Sequence, residues 1–433
     1  MTGGAARPAE LAASALKSGT AAFRRRNFRL FWFGQVLSLM GTWMQSVAQS
    51  WLVLNLTNSA LQVGLVVGLQ FLPVLLFGLI GGVLADRWNK RRFLLVTQSA
   101  QAVQALSLGL LTISGQIEAW QVMALAAFLG VTNAFDMPTR QSFVVEMVGR
   151  EDLMNALALN SSAFNLARIV GPAIGGVLIG KIGVGPVFLI NAASYLAVLG
   201  GLLLMRESEL TNVPRPSSGS LRKNLGEGLC FIGRTPVVLV ATALIGSVAM
   251  VGMNDSVLLS VMARDVFQIG SEGFGLLMAA LGIGSLVAAL VIAASPTIDP
   301  IRTMLTGAVG FSVLEILFAF SPRLHIVGLS FGLLFGVGFC MILMTATSNT
   351  AIQRAAPDEL RGRVMSVYVT IFAGSTPFGS MLAGSLAHWK GAPFAFGVGG
   401  ALALIATFWA FRRARRTGLL DRGGSGTLGT AAG

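Results

Sequence analysis

Continuous apolar runs, each near the length of about 20 residues that a helix needs to cross a bilayer, recur along the whole chain between short polar joints. Twelve are predicted, at roughly 30–54, 61–84, 93–113, 119–138, 156–179, 184–205, 236–258, 272–294, 303–320, 325–349, 363–386 and 392–411. Apolar residues run on without alternation, so helices are expected, and the dyad pattern of a membrane barrel is missing. The longest polar stretch, Arg206 to Arg234, divides the runs six and six; it holds Pro214, Pro216 and a Ser/Gly run at 217–220, the composition of a linker. The predicted fold class is an all-α membrane protein with 12 transmembrane helices in two six-helix bundles. Its expected divisions are a disordered N-terminus 1–28, a bundle 29–205, a linker 206–234, a bundle 235–411 and a basic tail 412–433.

Composition agrees: 54% of residues are hydrophobic and 11% charged, where a soluble domain carries about 25% charged residues. The net charge of +13 would suggest nucleic acid, but its placement excludes that. With the N-terminus in the cytoplasm, 26 of the 31 Lys and Arg fall in cytoplasmic segments. Only Lys181, Arg264, Arg323 and Lys390 fall outside, and Arg168 lies within a run. This is the positive-inside asymmetry, so both termini are expected to be cytoplasmic and the protein to sit in a bacterial inner membrane. Arg24, Arg25, Arg26, Arg412, Arg413, Arg415 and Arg416 are expected against anionic headgroups. No apolar stretch precedes Arg24, so the first span, and no cleaved leader, is expected to direct insertion. Cys230, placed in a loop, and Cys340 suggest no disulfide, and with His325 and His388 they match no metal spacing. No phosphate-binding loop occurs. Neither an enzyme nor a bound cofactor or metal is therefore expected.

The joint after the second run carries Gly82, Asp86, Arg87, Lys90, Arg91 and Arg92. Positive-inside topology accounts for the bases but not for Asp86, which can satisfy free N–H groups at a helix N-terminus. Glycine at 82 admits close backbone contact. The segment resembles the signature of the major facilitator superfamily. That resemblance implies a latch, formed by Gly82, Asp86, Arg87, Arg91 and Arg92, which holds the cytoplasmic side shut. Its implied dock is the start of the eleventh span at Asp358-Glu359-Leu360. The matching Glu151-Asp152-Leu153 lies 207 residues earlier and hints at a duplicated six-helix unit.

In the fifth run, Gly171, Pro172, Gly175 and Gly176 resemble the antiporter motif of facilitator drug exporters, with Ala158 and Ala167 where further glycines are usual. The plainer reading is small-residue helix packing. The arginine such exporters carry in span four is replaced by Ala126, four residues before Gly130. Its charge could have moved to Arg168, or to Asp136 and Arg140. Segments 136–141 and 165–172, with Glu227-Gly228 and Arg361-Gly362-Arg363, look like the subgroup of enterobactin exporters and macrolide efflux proteins.

Gln35, Ser38, Thr42, Gln45 and Gln49 are spaced 3, 4, 3 and 4 apart, on one helical face. Amides in hydrocarbon are costly unless partnered or wetted, and a water-filled cavity is preferred here over hydrogen bonds inside the bundle. Trp43 and Trp51 offer flat surface either to a cargo or to lipid. Asn165 and Arg168 share a face of span five, Arg168 lying 13 residues, or about 20 Å, beyond Asn155. A charge at such depth costs at least about 2.5 kcal/mol and marks a functional site by default. It suits an anionic or carbonyl-bearing cargo, the alternative being a structural ion pair with Asp255. Asn254 joins the expected cavity set. A carboxylate that alternates between dry and wet surroundings can carry protons. Asp255 is preferred for that role, with Glu315 expected to be a structural hydrogen-bonding acid. The reading is a secondary active transporter exporting a small amphipathic molecule (drug, siderophore or secondary metabolite) by proton antiport. A proton-coupled importer of the same fold is the alternative. Partners are cargo, protons and membrane lipid, without nucleic acid, and a monomer is expected.

Overall fold

A computed structural model describes residues 21–211, 221–295, 297–324 and 326–420. Within its helices the side chains at positions 79, 83, 85–87, 221–225 and 358 lie outside the described set. Most of the expected disordered N-terminus, the 217–220 run, His325 and the end of the basic tail also lie outside the described residues. The helices are α1 (Arg26–Thr57), α2 (Ala60–Arg87), α3 (Lys90–Ile113), α4 (Ala119–Val148), α5 (Leu153–Ile182) and α6 (Val184–Leu203). After the linker come α7 (Leu221–Arg234), α8 (Pro236–Val251), α9 (Asp255–Val261), α10 (Gly270–Ala294), α11 (Pro300–Phe320), α12 (Val327–Ala355), α13 (Asp358–Lys390) and α14 (Ala392–Arg416). No strand occurs among the described residues.

Local chemistry sets the ends. Ser59, Asn89 and Asp299 each accept a hydrogen bond from a backbone N–H in the first turn of the helix that follows. Gly149, Gly183 and Gly391 terminate α4, α5 and α13 at φ of 73°, 85° and 88° with extended ψ, a region essentially reserved for glycine. Among the described residues, ten helical segments are long and apolar enough to cross a membrane. α1 and α13 are not among those ten, since both carry polar side chains through their length.

Two expectations change. The seventh apolar run is not one helix: it breaks at Gly252-Met253-Asn254, resumes as α9 and ends in a π-turn at Met262–Val266. The linker is not wholly irregular either, because α7 forms an amphipathic helix against α13. Cys230 lies exposed on α7, not in a loop.

In the first half α1 packs on α5 and α6, α2 on α4, and α3 on α4 and α6. In the second, α8 packs on α12, α13 and α14, α10 on α12, and α11 on α12 and α14. The halves meet chiefly through α2 with α13 and α5 with α10. Glycines make these seams close: a Cβ on Gly64 would sit 2.3 Å from the Ser380 carbonyl oxygen.

Polar ties between the halves gather at the end remote from the linker. Arg264 donates to the Leu54 carbonyl at 2.5 Å and to Asn58 Oδ1 at 3.1 Å, and so caps the C-terminus of α1. Ser59 Oγ lies 3.5 Å from His388 Nδ1. At the linker end, the pairs Arg25–Asp152, Lys90–Glu146, Arg91–Glu207 and Arg363–Glu227 each stay within one half. Along α2, Leu75 still reaches the position of a Gly374 Cβ, but two turns on, on the same face, no atom of the described residues lies within 4 Å of a Cβ at Gly82. Among the described residues, the halves are clasped at the far end and part toward the linker end.

Candidate transport site

The parting seam runs past the middle of α5. Toward the linker end, Ser161 and Phe164 are exposed. Farther along, Gly171 and Gly175 let α5 lie on α1: their Cβ atoms would meet Trp43 Cβ at 2.6 Å and Met44 Cα at 3.0 Å. Gly176 faces the other half instead, where its Cβ would fall 2.5 Å from the Ser271 carbonyl and 2.8 Å from Gly275 Cα. Pro172 sits in this stretch of α5, and its own carbonyl faces Gly275. The four residues therefore serve two contacts, one within the half and one between halves.

Arg168 lies one turn before this patch. Its Nε and one terminal nitrogen are buried and have no hydrogen-bond partner among the described residues. Across the seam stands Asp255, the first residue of α9, whose Oδ1 is also buried and has no partner among the described residues. The two charges act on one another electrostatically, but they do not form an ion pair among the described contacts. The structural salt bridge weighed from sequence is thus not made in this conformation. Asn165 donates to Ser161 O at 2.9 Å, and buried Asn254 donates to Met250 O at 3.1 Å, at the break. Trp43 meets the exposed Phe164 edge-on with ring centroids 5.7 Å apart, and Trp51 stacks on Phe274 of the other half at 6.3 Å.

The glutamine stripe does not line this seam. Gln45 is 2% exposed; it donates to Gln104 Oε1 at 3.0 Å and accepts from Asn191 Nδ2 at 2.7 Å. Thr42 lies 3.4 Å from the Tyr195 hydroxyl, and Gln49 is buried. The polar face of α1 turns into its own bundle, toward α3 and α6, because those helices bring matching amides. Spacing identified the face but could not say what it faces.

Of the latch residues, Gly82, Arg91 and Arg92 lie within the described set. The side chains of Asp86 and Arg87, and of Asp358 at the dock, lie outside the described residues. Arg91 caps α6, donating to Leu202 O at 2.7 Å, Leu203 O at 2.9 Å and Glu207 at 2.6 Å. Arg92 is exposed. The glycine that packs closely is Gly81, not Gly82: its Cβ would meet the Ala134 carbonyl at 2.2 Å. Glu315 also departs from expectation. It is 1% exposed, yet neither carboxylate oxygen has a hydrogen-bond partner among the described residues.

Asp136 and Arg140 pair with each other at 2.6 Å, in a network away from the seam. Asp136 is fully buried and also accepts from Thr97 at 2.7 Å and Gln98 at 2.8 Å. Thr97, Gln98, Gln101 and Gln104, set along one side of α3, were the readable sign of this inner polar seam. Asp136→Asn should remove about 1.5–3 kcal/mol of stability, the usual worth of hydrogen bonds to a charged group. A lower thermal midpoint of the purified protein is expected, and an unchanged one would show the network to be incidental.

The chain matches the family described as transmembrane secretion effector over residues 17–419. It is 29% identical over 382 residues to the multidrug efflux pump Tap of Mycolicibacterium fortuitum, covering 85% of this chain and 91% of that protein. Identity is 26% to the staphyloferrin A transporter of Staphylococcus aureus, over 82% of this chain and 88% of that one. Enterobactin exporter EntS of Escherichia coli O1:K1 is also 26% identical, over 83% and 85%. In fold, the chain resembles a bacterial homologue of the human lysosomal transporter Spinster in an inward-facing, unoccupied conformation, with TM-score 0.75, 16% identity and 94% and 99% coverage. A D-xylose–proton symporter superposes with TM-score 0.68 at 14% identity, over 88% and 97%. The relatives and fold neighbours are transporters, not enzymes. This multi-pass membrane protein belongs to the transmembrane secretion effector family of major facilitator transporters.

Proposed function

We propose that the protein exports a small amphipathic molecule, bearing an anionic or carbonyl group, in exchange for protons across a bacterial inner membrane. In this reading α1 and α13 also cross, completing twelve spans in bundles 29–205 and 235–411. Both termini, the 206–234 linker and the basic tail 412–433 are cytoplasmic, and one chain is the transporting unit. The linker end of the seam is then the cytoplasmic mouth.

The observation that carries the reading is the opposition of Arg168 and Asp255, one from each half, both with buried atoms that have no partner among the described residues. Rocking of the halves changes their separation and their access to water. A proton on Asp255 and a cargo group at Arg168 therefore alter one another's binding, and that coupling is reciprocal. Competition between them gives antiport and export; mutual support would give symport and import. Export is favoured by the antiporter-like Gly171, Pro172, Gly175 and Gly176, and by relatives named for efflux and siderophore export. Import is the second reading, since a proton symporter shares the fold. Asn165 and Asn254 stand near the charges, and Trp43 with Phe164 offers ring surface to an aromatic cargo. Gly82, Asp86, Arg87, Arg91 and Arg92 act in the opposite state, when the cytoplasmic mouth closes on the start of α13.

The test is uptake of pyrenebutyrate, a fluorescent aromatic carboxylate, into energised everted vesicles containing the protein. Accumulation above that of vesicles without it, lost on adding a protonophore, is expected. Protonophore-insensitive accumulation would overturn proton coupling, and accumulation by intact cells instead would reverse the direction.

A further inference from the structure

We propose that Glu315 is a second proton-carrying group, sharing a single proton with Asp255 across the break in the seventh span. This inference rests on the proton-coupled reading above and adds where the proton resides between its entry and release.

Glu315 projects from α11 toward Gly252, the first residue of the break. A Cβ on Gly252 would lie 3.1 Å from Glu315 Oε2, and one on Gly399 of α14 would lie 3.8 Å from Oε1. Phe311, one turn earlier on α11, closes against the same glycine. The acid thus occupies a pocket that two glycines and a ring make just wide enough for it. Full burial of a carboxylate without hydrogen bonds or a counter-ion carries a large desolvation penalty. A purely structural acid would be expected to find donors, and this one has none among the described residues.

The elements packed around it decide what can compensate the charge. α8 carries no charged residue, α12 only Arg354 at its end, and α14 none before Arg412. Asp255 heads α9 only three residues beyond Gly252, against which Glu315 packs, so its negative charge adds to that of Glu315, and Arg168 opposes it. Three ionisable groups therefore form one buried set with a single cation. With both acids ionised the set carries a net charge of minus one. With one proton it is neutral. The exchange balances: Glu315 gives its proton to the Asp255 carboxylate, leaving a carboxylate on Glu315 and an acid on Asp255. The negative charge moves toward or away from Arg168 while the sum stays fixed. The break at Gly252-Met253-Asn254 lets α9 move relative to α8, so rocking of the halves can set which acid holds the proton.

Dicyclohexylcarbodiimide adds to carboxylic acids in their protonated form within apolar surroundings, and mapping its adducts by peptide mass spectrometry needs no cargo. On the full-length protein in nanodiscs at neutral pH, labelling at Glu315 is expected. In Asp255→Asn the set is neutral with Glu315 ionised, so labelling there should fall, by up to roughly tenfold for each unit of proton affinity lost below the working pH. Asp255→Glu, which keeps the acid, should retain it and so controls for misfolding. Absence of label on Glu315 in the wild-type protein, or equal labelling in Asp255→Asn, overturns the proposal. Protection by sodium at constant pH also overturns it, in favour of a metal-ion site. The vesicle assay fails separately: protonophore-insensitive uptake with Glu315 labelled would remove the transport reading but not the shared proton.

Discussion

Arg168→Gln is expected to lower energised accumulation of pyrenebutyrate roughly 10- to 100-fold, the equivalent of one hydrogen bond to a charged group. The guanidinium is placed for this by α5, whose glycines at 171, 175 and 176 hold it against both α1 and the opposite half. Its buried Nε and terminal nitrogen have no partner among the described residues, so their donors are available to a cargo oxygen. Asp255→Asn should also abolish uphill accumulation, but for another reason: the amide cannot exchange a proton. Downhill flux through Asp255→Asn should survive. Each single change leaves an opposing buried charge less compensated, whereas removing both restores neutrality at that pair. The double variant Arg168→Gln with Asp255→Asn should therefore be recovered in folded form at least as well as Arg168→Gln alone, while remaining inactive. Wild-type accumulation in Arg168→Gln would mean that the arginine only bridges the bundles.

Gly176→Val should act on the conformational balance and not on the chemistry. Its Cβ would meet a carbonyl oxygen and a Cα of α10, and backbone atoms cannot rotate aside as a flexible side chain could. Overpacking of this kind costs about 1–3 kcal/mol, enough to shift a two-state equilibrium roughly 5- to 150-fold. Because the clash is confined to the clasped end, the shift should favour opening there. With Cys230 and Cys340 replaced by serine, Leu61→Cys on the α2–α13 seam reports it. A membrane-impermeant maleimide should label that cysteine several-fold faster in Gly176→Val, by the same equilibrium shift. An unchanged rate would show that the α5–α10 contact does not govern the clasp.

The helical layout was legible because burial in lipid demands long apolar runs, and each run but the seventh falls on one described helix. The break in the seventh run was marked in the sequence by Gly252, Asn254 and Asp255, but hydropathy averages across three residues and hides it. The role of the stripe on α1 was not legible. Gln45 reads the same whether it meets water or Gln104 and Asn191, since an amide is satisfied by either. Arg168 and Asp255 were found as isolated charges in apolar runs, which is where desolvation makes ionisable residues rare. Their opposition needed the packing of α5 against the other half. Glu315 was expected to be a hydrogen-bonding acid, but its lack of donors among the described residues is a property of the surrounding glycines and Phe311, which no spacing rule reports.

For transport, the two halves must come apart at the end now clasped. Ser59 and His388 face each other there across the α2–α13 seam, with side-chain atoms 3.5 Å apart. In a protein lacking native cysteines, Ser59→Cys with His388→Cys can be bridged by a short bis-maleimide. Bridging should stop energised pyrenebutyrate transport, while either single cysteine variant, treated alike, should transport as its untreated control does. Undiminished transport by the fully bridged protein would contradict alternating access by rocking of the two bundles.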